Sequence, residues 1–219
     1  QASWLIYPIE ICVPLFMNKE GFSEVFEQIK ELYISKTFEK VYSFQKIKEE
    51  PLLVADLLSM LKKYLKECPE KVFCSSSFKS LMELTNLCCE IEHQDLSTVL
   101  ISFQTKLFMV LQDISTGYLV LPVPEEQSIE IAEEAFQNGA IIVQKYMKVI
   151  LDVPLQDILE NIIDFLVDLV IQFPKQAIGW LRAILIDIPS NILSDAEKED
   201  FCLDFDYGND SAHTIQKSF

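Results

Sequence analysis

Apolar residues recur along almost the whole chain at the i, i+3, i+4, i+7 spacing of an amphipathic helix. Phe22, Val25, Phe26, Ile29, Leu32 and Tyr33 follow it, as do Leu53, Leu57, Leu58, Leu61 and Leu65, then Leu155, Ile158, Leu159, Ile162, Leu166 and Leu169. The pattern predicts helices over roughly 3–17, 21–35, 37–47, 51–67, 76–91, 95–113, 126–137, 139–151, 155–172, 175–187 and 195–204. Only Tyr118 to Pro124, bounded by Gly117 and two prolines, reads as extended, and a loop is expected there. Proline supplies the punctuation: Pro69, Pro154, Pro174 and Pro189 each fall between helical patterns, where proline ends one helix or opens the next. Pro8 and Pro14 fall inside the first segment and are expected to kink it. Ser194-Asp195-Ala196-Glu197 is a capping box for the last helix.

Long helices on short turns, paired about 40 residues apart, suggest an all-α fold of HEAT-repeat α-solenoid type with roughly five helix pairs. A compact bundle would use the same pattern. The array is favoured because segment 155–172 is apolar over more than half its circumference, as a helix between two neighbouring repeats would be. Residues 1–204 are read as the array and 205–219 as a polar, acidic tail.

Composition narrows the function. Half of the 219 residues are hydrophobic, so a disordered chain is excluded. Five glycines are too few for a β-sandwich or a glycine-loop nucleotide fold. The net charge of −16 disfavours nucleic acid as a direct partner, because phosphate binding needs Lys and Arg. The acidity is lopsided: residues 1–109 hold 12 Lys against 15 acids, whereas residues 110–219 hold 5 Lys and 1 Arg against 19 acids. No 18-residue apolar run escapes a charge, so no membrane span is expected. The apolar start lacks a basic leader and is a poor signal peptide. It opens Gln1-Ala2-Ser3 without Met, which reads as a piece of something longer. The six cysteines, with no CxxC, suggest buried thiols in a reduced, intracellular setting.

The sharpest local feature is Asp157, Glu160, Asp164 and Asp168, at spacings of 3, 4 and 4. On a helix they form one stripe opposite the apolar face. Like charges so placed cost about 0.2–0.5 kcal/mol per pair. These four are the candidate partner-binding residues, set to attract Lys and Arg on a partner; an ordinary solvated face is the plain alternative. Glu125, Glu126, Glu130, Glu133 and Glu134 read as a solvated helix start. Cys89 and His93, four apart with Cys88 adjacent, lack two further zinc ligands, so a buried helix ending in a polar turn is expected there. Besides His93 the sole histidine is His213, in the tail, and no phosphate loop, HExxH or GxSxG occurs. Neither catalysis, cofactor nor metal is expected.

Two stretches carry a family likeness. Cys68-Pro69-Glu70-Lys71-Val72-Phe73-Cys74-Ser75-Ser76-Ser77-Phe78, followed by Leu81, Leu84 and Glu92-His93-Gln94-Asp95, resembles a proline-, phenylalanine- and serine-bearing segment and the helix-opening turn after it in importin-β nuclear transport receptors of the transportin-SR and importin-thirteen branch. Phe173-Pro174, Trp180-Leu181, Ile188-Pro189 and Ser194 to Phe201 are similar to the C-terminal end of the same receptors. The resemblance covers about residues 1–204. It implies the C-terminal HEAT-repeat part of a longer receptor that shuttles between nucleus and cytoplasm with protein cargo. Ran GTPase and FG nucleoporins would be met by the full-length receptor. One departure matters: the arginine-rich helix with which transportin-SR receptors hold phosphorylated Arg-Ser segments has no counterpart, since Arg182 is the sole arginine. Unmodified basic segments suit the charge better. A static acidic scaffold in a stable complex would have the same composition.

Overall fold

A computed structural model describes residues 3–17, 19, 21–151 and 156–200. Every regular element among them is helical: α1 (Ser3–Phe16), α2 (Ser23–Lys40), α3 (Phe44–Glu49), α4 (Pro51–Glu67), α5 (Glu70–Phe73), α6 (Phe78–Cys88), α7 (Gln94–Ser115), α8 (Glu125–Leu151), α9 (Gln156–Gln172) and α10 (Pro174–Asp187), with a further helical stretch at 195–200. The all-α class predicted from the periodicity is the class observed. The chain forms two compact units, residues 1–138 and 139–219, and α8 runs through the boundary. The proposed tail, 205–219, lies outside the described residues.

In the first unit α4 is the central helix. Pro51 opens it at a position where a missing amide costs nothing. It then buries Val54, Ala55, Leu57, Leu58, Met60, Leu61, Tyr64 and Leu65, more than one stripe can hold. That breadth is needed because α4 packs most extensively on α7, next on α1, and also on α2, α3 and α5. Its polar residues lie at the seams. Ser59 donates to Glu10 of α1, Lys62 donates to Ser102 of α7 at 2.6 Å, and the Tyr64 hydroxyl donates to the Phe26 carbonyl of α2 at 2.7 Å. With the Lys30–Lys71 and Asn86–Asn138 bonds, such contacts join residues 38 to 52 positions apart.

Several boundaries moved from expectation. α1 is the exception: it runs through Pro8 and Pro14 within the expected bounds, and each proline lacks an amide to donate. α2 extends to Lys40 because Thr37 is buried and its carbonyl accepts from the Val41 amide. Ser43 then caps the short α3, accepting from Lys46 N at 3.3 Å. The two helices expected at 126–137 and 139–151 are one. Asn138, which could have capped a turn, instead donates to the Glu134 carbonyl at 2.8 Å and accepts from Asn86. The expected loop is present, opened by Gly117 in the left-handed region at φ +75°, the usual end of a helix.

The apolar face of α2 also differs. Phe26, Lys30, Ile34 and Thr37 are its buried residues, while Phe22, Val25 and Leu32 face solvent. Lys30 is fully buried. Its ammonium pairs with Glu27 at 2.7 Å and Glu31 at 3.1 Å, donates to the Lys71 carbonyl, and lies 5.9 Å from the Tyr64 ring centroid. A buried ammonium is tolerated only when its donors are used in this way. Lys30→Ala strips a partner from the Lys71 carbonyl and both carboxylates, so a loss of about 2–3 kcal/mol is expected. Lys30→Met, which keeps the stem, should lose less; urea unfolding midpoints give the comparison.

In the second unit α9 packs on α10, and the Tyr146 ring of α8 meets Phe165 edge-on at 5.6 Å. Phe173 and Pro174 make the corner: the Phe173 amide closes α9 on Leu169 O, and Pro174 opens α10.

Three acids, Cys68 and Tyr64 buried and Tyr33 half-buried, fix the alkaline response. Burial pushes the Cys68 thiol up to about 12 from 9.0 and holds the Tyr33 and Tyr64 phenols above their ordinary 10.0. All three are neutral in the folded chain at pH values where the unfolded chain ionises. Stability from these groups is therefore complete below about pH 9 and erodes as pH rises further. Unfolding titrations across pH 7 to 11 check this, and Tyr64→Phe should flatten part of the alkaline fall.

Candidate functional site

α9 carries the stripe that the sequence singles out. Its buried side consists of Ile158, Ile162, Phe165, Leu166, Val167, Leu169 and Val170, a wide apolar face that leaves a narrow polar ridge. Glu160 and Asp164 stand on that ridge, both exposed, one helical turn apart. Asp168 follows one turn later, half-buried. Its carboxyl is held above the ordinary carboxylate value by burial first and by the Asp164 charge second. Asp157 belongs to the first turn of α9, and its side chain lies outside the described residues. The fold thus brings three of the four predicted side chains into one row. No base sits among them in sequence, and Glu160, Asp164 and Asp168 make no ion pair among the described residues. Such a row can attract cations and donate nothing.

The other predicted groups go to local structure. Glu125 and Glu126 occupy the exposed first turn of α8, where acids suit the amide end of a helix. Glu134 is different: its carboxylate accepts from Asn138 at 3.0 Å. His93 caps α7, its Nδ1 accepting from Leu96 N at 3.3 Å. Cys89 donates to the Thr85 carbonyl at 3.3 Å, and Gln104 donates to its sulfur at 3.6 Å. Cys88 and Cys89 are buried, so the buried helix and polar turn expected at this point describe what is found. Among the described residues no three His, Cys, Asp or Glu side chains group as metal ligands, and no helix is long and apolar enough to cross a membrane.

The family-like segment around Pro69 becomes α5 and a serine turn. Phe73 and Phe78 stack at 5.2 Å, while Ser75 donates to Glu31 at 2.9 Å and accepts from Ser77 N at 3.1 Å. Glu31 also pairs with Lys30, so turn and buried lysine form one network. Sequence reading missed this centre, although Lys30 stands at helical spacing between Phe26 and Ile34. At the other end the capping box forms as expected: Glu197 N donates to Ser194 Oγ at 3.3 Å and Ser194 N to Glu197 Oε2 at 2.8 Å. The hydrogen bonds from Ser194 hold the Glu197 carboxyl below its usual range. Phe201 and beyond lie outside the described residues.

Neither a protein-family model nor a curated protein matches the chain.

Asp168 gives a test of the local field. A carboxyl whose folded value is raised opposes folding once it ionises: its contribution is complete below the unfolded value and lost as pH rises through the folded one. Asp168→Asn should therefore stabilise the chain at pH 7 and give no gain at pH 3, read as the difference in unfolding midpoint at the two pH values.

Proposed function

We propose that this chain is the C-terminal HEAT-repeat portion of a nuclear transport receptor, and that the ridge of α9 engages basic segments of protein cargo. The reading combines the family resemblance with one observation that carries the site: Glu160 and Asp164 project to solvent, directly opposite a fully buried face, from the half of the chain with 19 acids against 6 bases. Asp168 extends the row, and Asp157 continues its spacing in the sequence. The stacking of α1, α4 and α7, with hydrogen bonds 49 residues apart between α1 and α4 and 40 apart between α4 and α7, supports a repeat array.

The mechanism is reversible association without chemistry. Lys and Arg side chains on the cargo relieve the repulsion along the ridge as they bind, so part of the binding energy is repulsion removed. The excess of negative potential raises the encounter rate and rejects phosphorylated or acidic segments, contributing more to selectivity than to affinity. Ran GTPase and FG nucleoporins would act on the full-length receptor, which would shuttle between nucleus and cytoplasm. A static acidic scaffold is the rival, and it would keep its partner in the presence of Ran-GTP.

The test is a titration with a fluorescent Arg-Ser-rich peptide, unmodified and phosphorylated, across a salt series. The unmodified peptide should bind more tightly, and its affinity should fall on the order of tenfold as salt compresses the screening length. Glu160→Lys with Asp164→Lys should weaken it on the order of tenfold or more at low salt, with helicity unchanged. An unchanged affinity in that double variant removes the ridge from the site. Preference for the phosphorylated peptide would place recognition on lysines of the first half instead.

A further inference from the structure

Asn138 and Gly139 are neighbours in the middle of α8, and Asn-Gly is the dipeptide that loses its side-chain amide most easily. The glycine nitrogen, unhindered by a side chain, attacks the asparagine Cγ and expels ammonia. Water then opens the succinimide ring to aspartate or isoaspartate. In this chain both residues are buried, and the reacting groups are committed elsewhere. The helix engages the Gly139 amide with a carbonyl one turn back. Asn138 Nδ2 donates to the Glu134 carbonyl at 2.8 Å and to Glu134 Oε1 at 3.0 Å, while its Oδ1 accepts from Asn86 Nδ2. Yet Gly139 is also the poorest helix former in α8, and the boundary between the two compact units falls between these two residues.

We propose that Asn138–Gly139 is a deamidation site gated by the opening of α8, and that the reaction runs one way. While the helix is closed, the Gly139 nitrogen cannot turn toward the Asn138 Cγ. Only molecules in which this stretch has opened locally react. The product cannot close again on the same contacts. A carboxylate at position 138 has no N–H for the Glu134 carbonyl. It would also stand against the Glu134 carboxylate in a buried place, where an unpaired charge is costly. Isoaspartate adds a methylene to the main chain and breaks the helical hydrogen-bond ladder outright. Water is the sole co-reactant and ammonia the sole leaving group. The site therefore records each opening of α8 as a permanent negative charge at its centre. The inference rests on the contacts of α8 and stands apart from the transport reading.

Peptide mass spectrometry of the 219-residue chain, incubated in mildly alkaline buffer with and without unfolding urea, tests it. Position 138 should convert on the order of a hundredfold faster in urea than in the folded chain. Asn86→Ala, which strips a donor from Asn138 Oδ1, should raise the folded rate about tenfold and leave the rate in urea unchanged. Gly139→Ala should slow conversion in urea by hindering the attacking nitrogen. Asn138→Asp should lower the unfolding midpoint at neutral pH, and adding Glu134→Gln should recover part of the loss, because a donor then faces the carboxylate. Equal rates with and without urea, no conversion at 138 in urea, or an Asn138→Asp chain as stable as the parent would overturn the proposal.

Discussion

Coverage of α4 on several sides is the constraint on which the first unit rests. A helix that buries eight of its seventeen residues cannot stand against one partner, and its neighbours are arranged to meet that demand. The three seams are keyed by polar pairs, Ser59 with Glu10, Lys62 with Ser102, and Tyr64 with the Phe26 carbonyl. Apolar packing alone would let helices slide by a turn at small cost, because one leucine replaces another. A donor that loses its acceptor in a half-buried seam forfeits the desolvation already incurred. The polar pairs therefore set register, and the leucines supply the driving force.

The same division holds around Lys30. Its chain crosses the apolar layer beside Ile34 and Tyr64, and its ammonium gathers Glu27, Glu31 and the Lys71 carbonyl. Glu31 in turn receives Ser75, so α2, α5 and the turn before α6 are tied through one cation. Lys71 and Ser75 bring the segment 68–78 into this centre, which gives the serine turn a structural purpose independent of any partner.

In the second unit the balance shifts from polar keys to segregation. α9 places most of its apolar residues inside and Glu160 and Asp164 outside, with Ile171 the exposed exception, and the acids gain nothing from one another. Burial first and the neighbouring Asp164 charge second raise the Asp168 carboxyl, so folding gains nothing from the ionised form at this end of the ridge. A surface that tolerates repulsion in the free state is suited to a partner that removes it.

The periodicity of apolar residues was enough to determine the helical class, most helix positions, the loop at 118–124 and the Ser194 cap, because each depends on contacts within a few residues. The α9 ridge was legible for the same reason, since spacing on one helix decides which side chains share a face. Helix ends at Lys40 and at Asn138 were not, because a buried Thr37 and an Asn138 engaged by Asn86 turn stop signals into continuations through partners distant in sequence. The face of α2 was misjudged on the same ground. Phe22, Val25 and Leu32 fit the helical period as well as Phe26 and Ile34 do, and only the positions of α4 and α5 decide which of the two stripes is inside. Lys30 is buried by that choice. Hydrophobic pattern fixes what a helix can bury; the neighbours that arrive from elsewhere in the chain fix what it does bury.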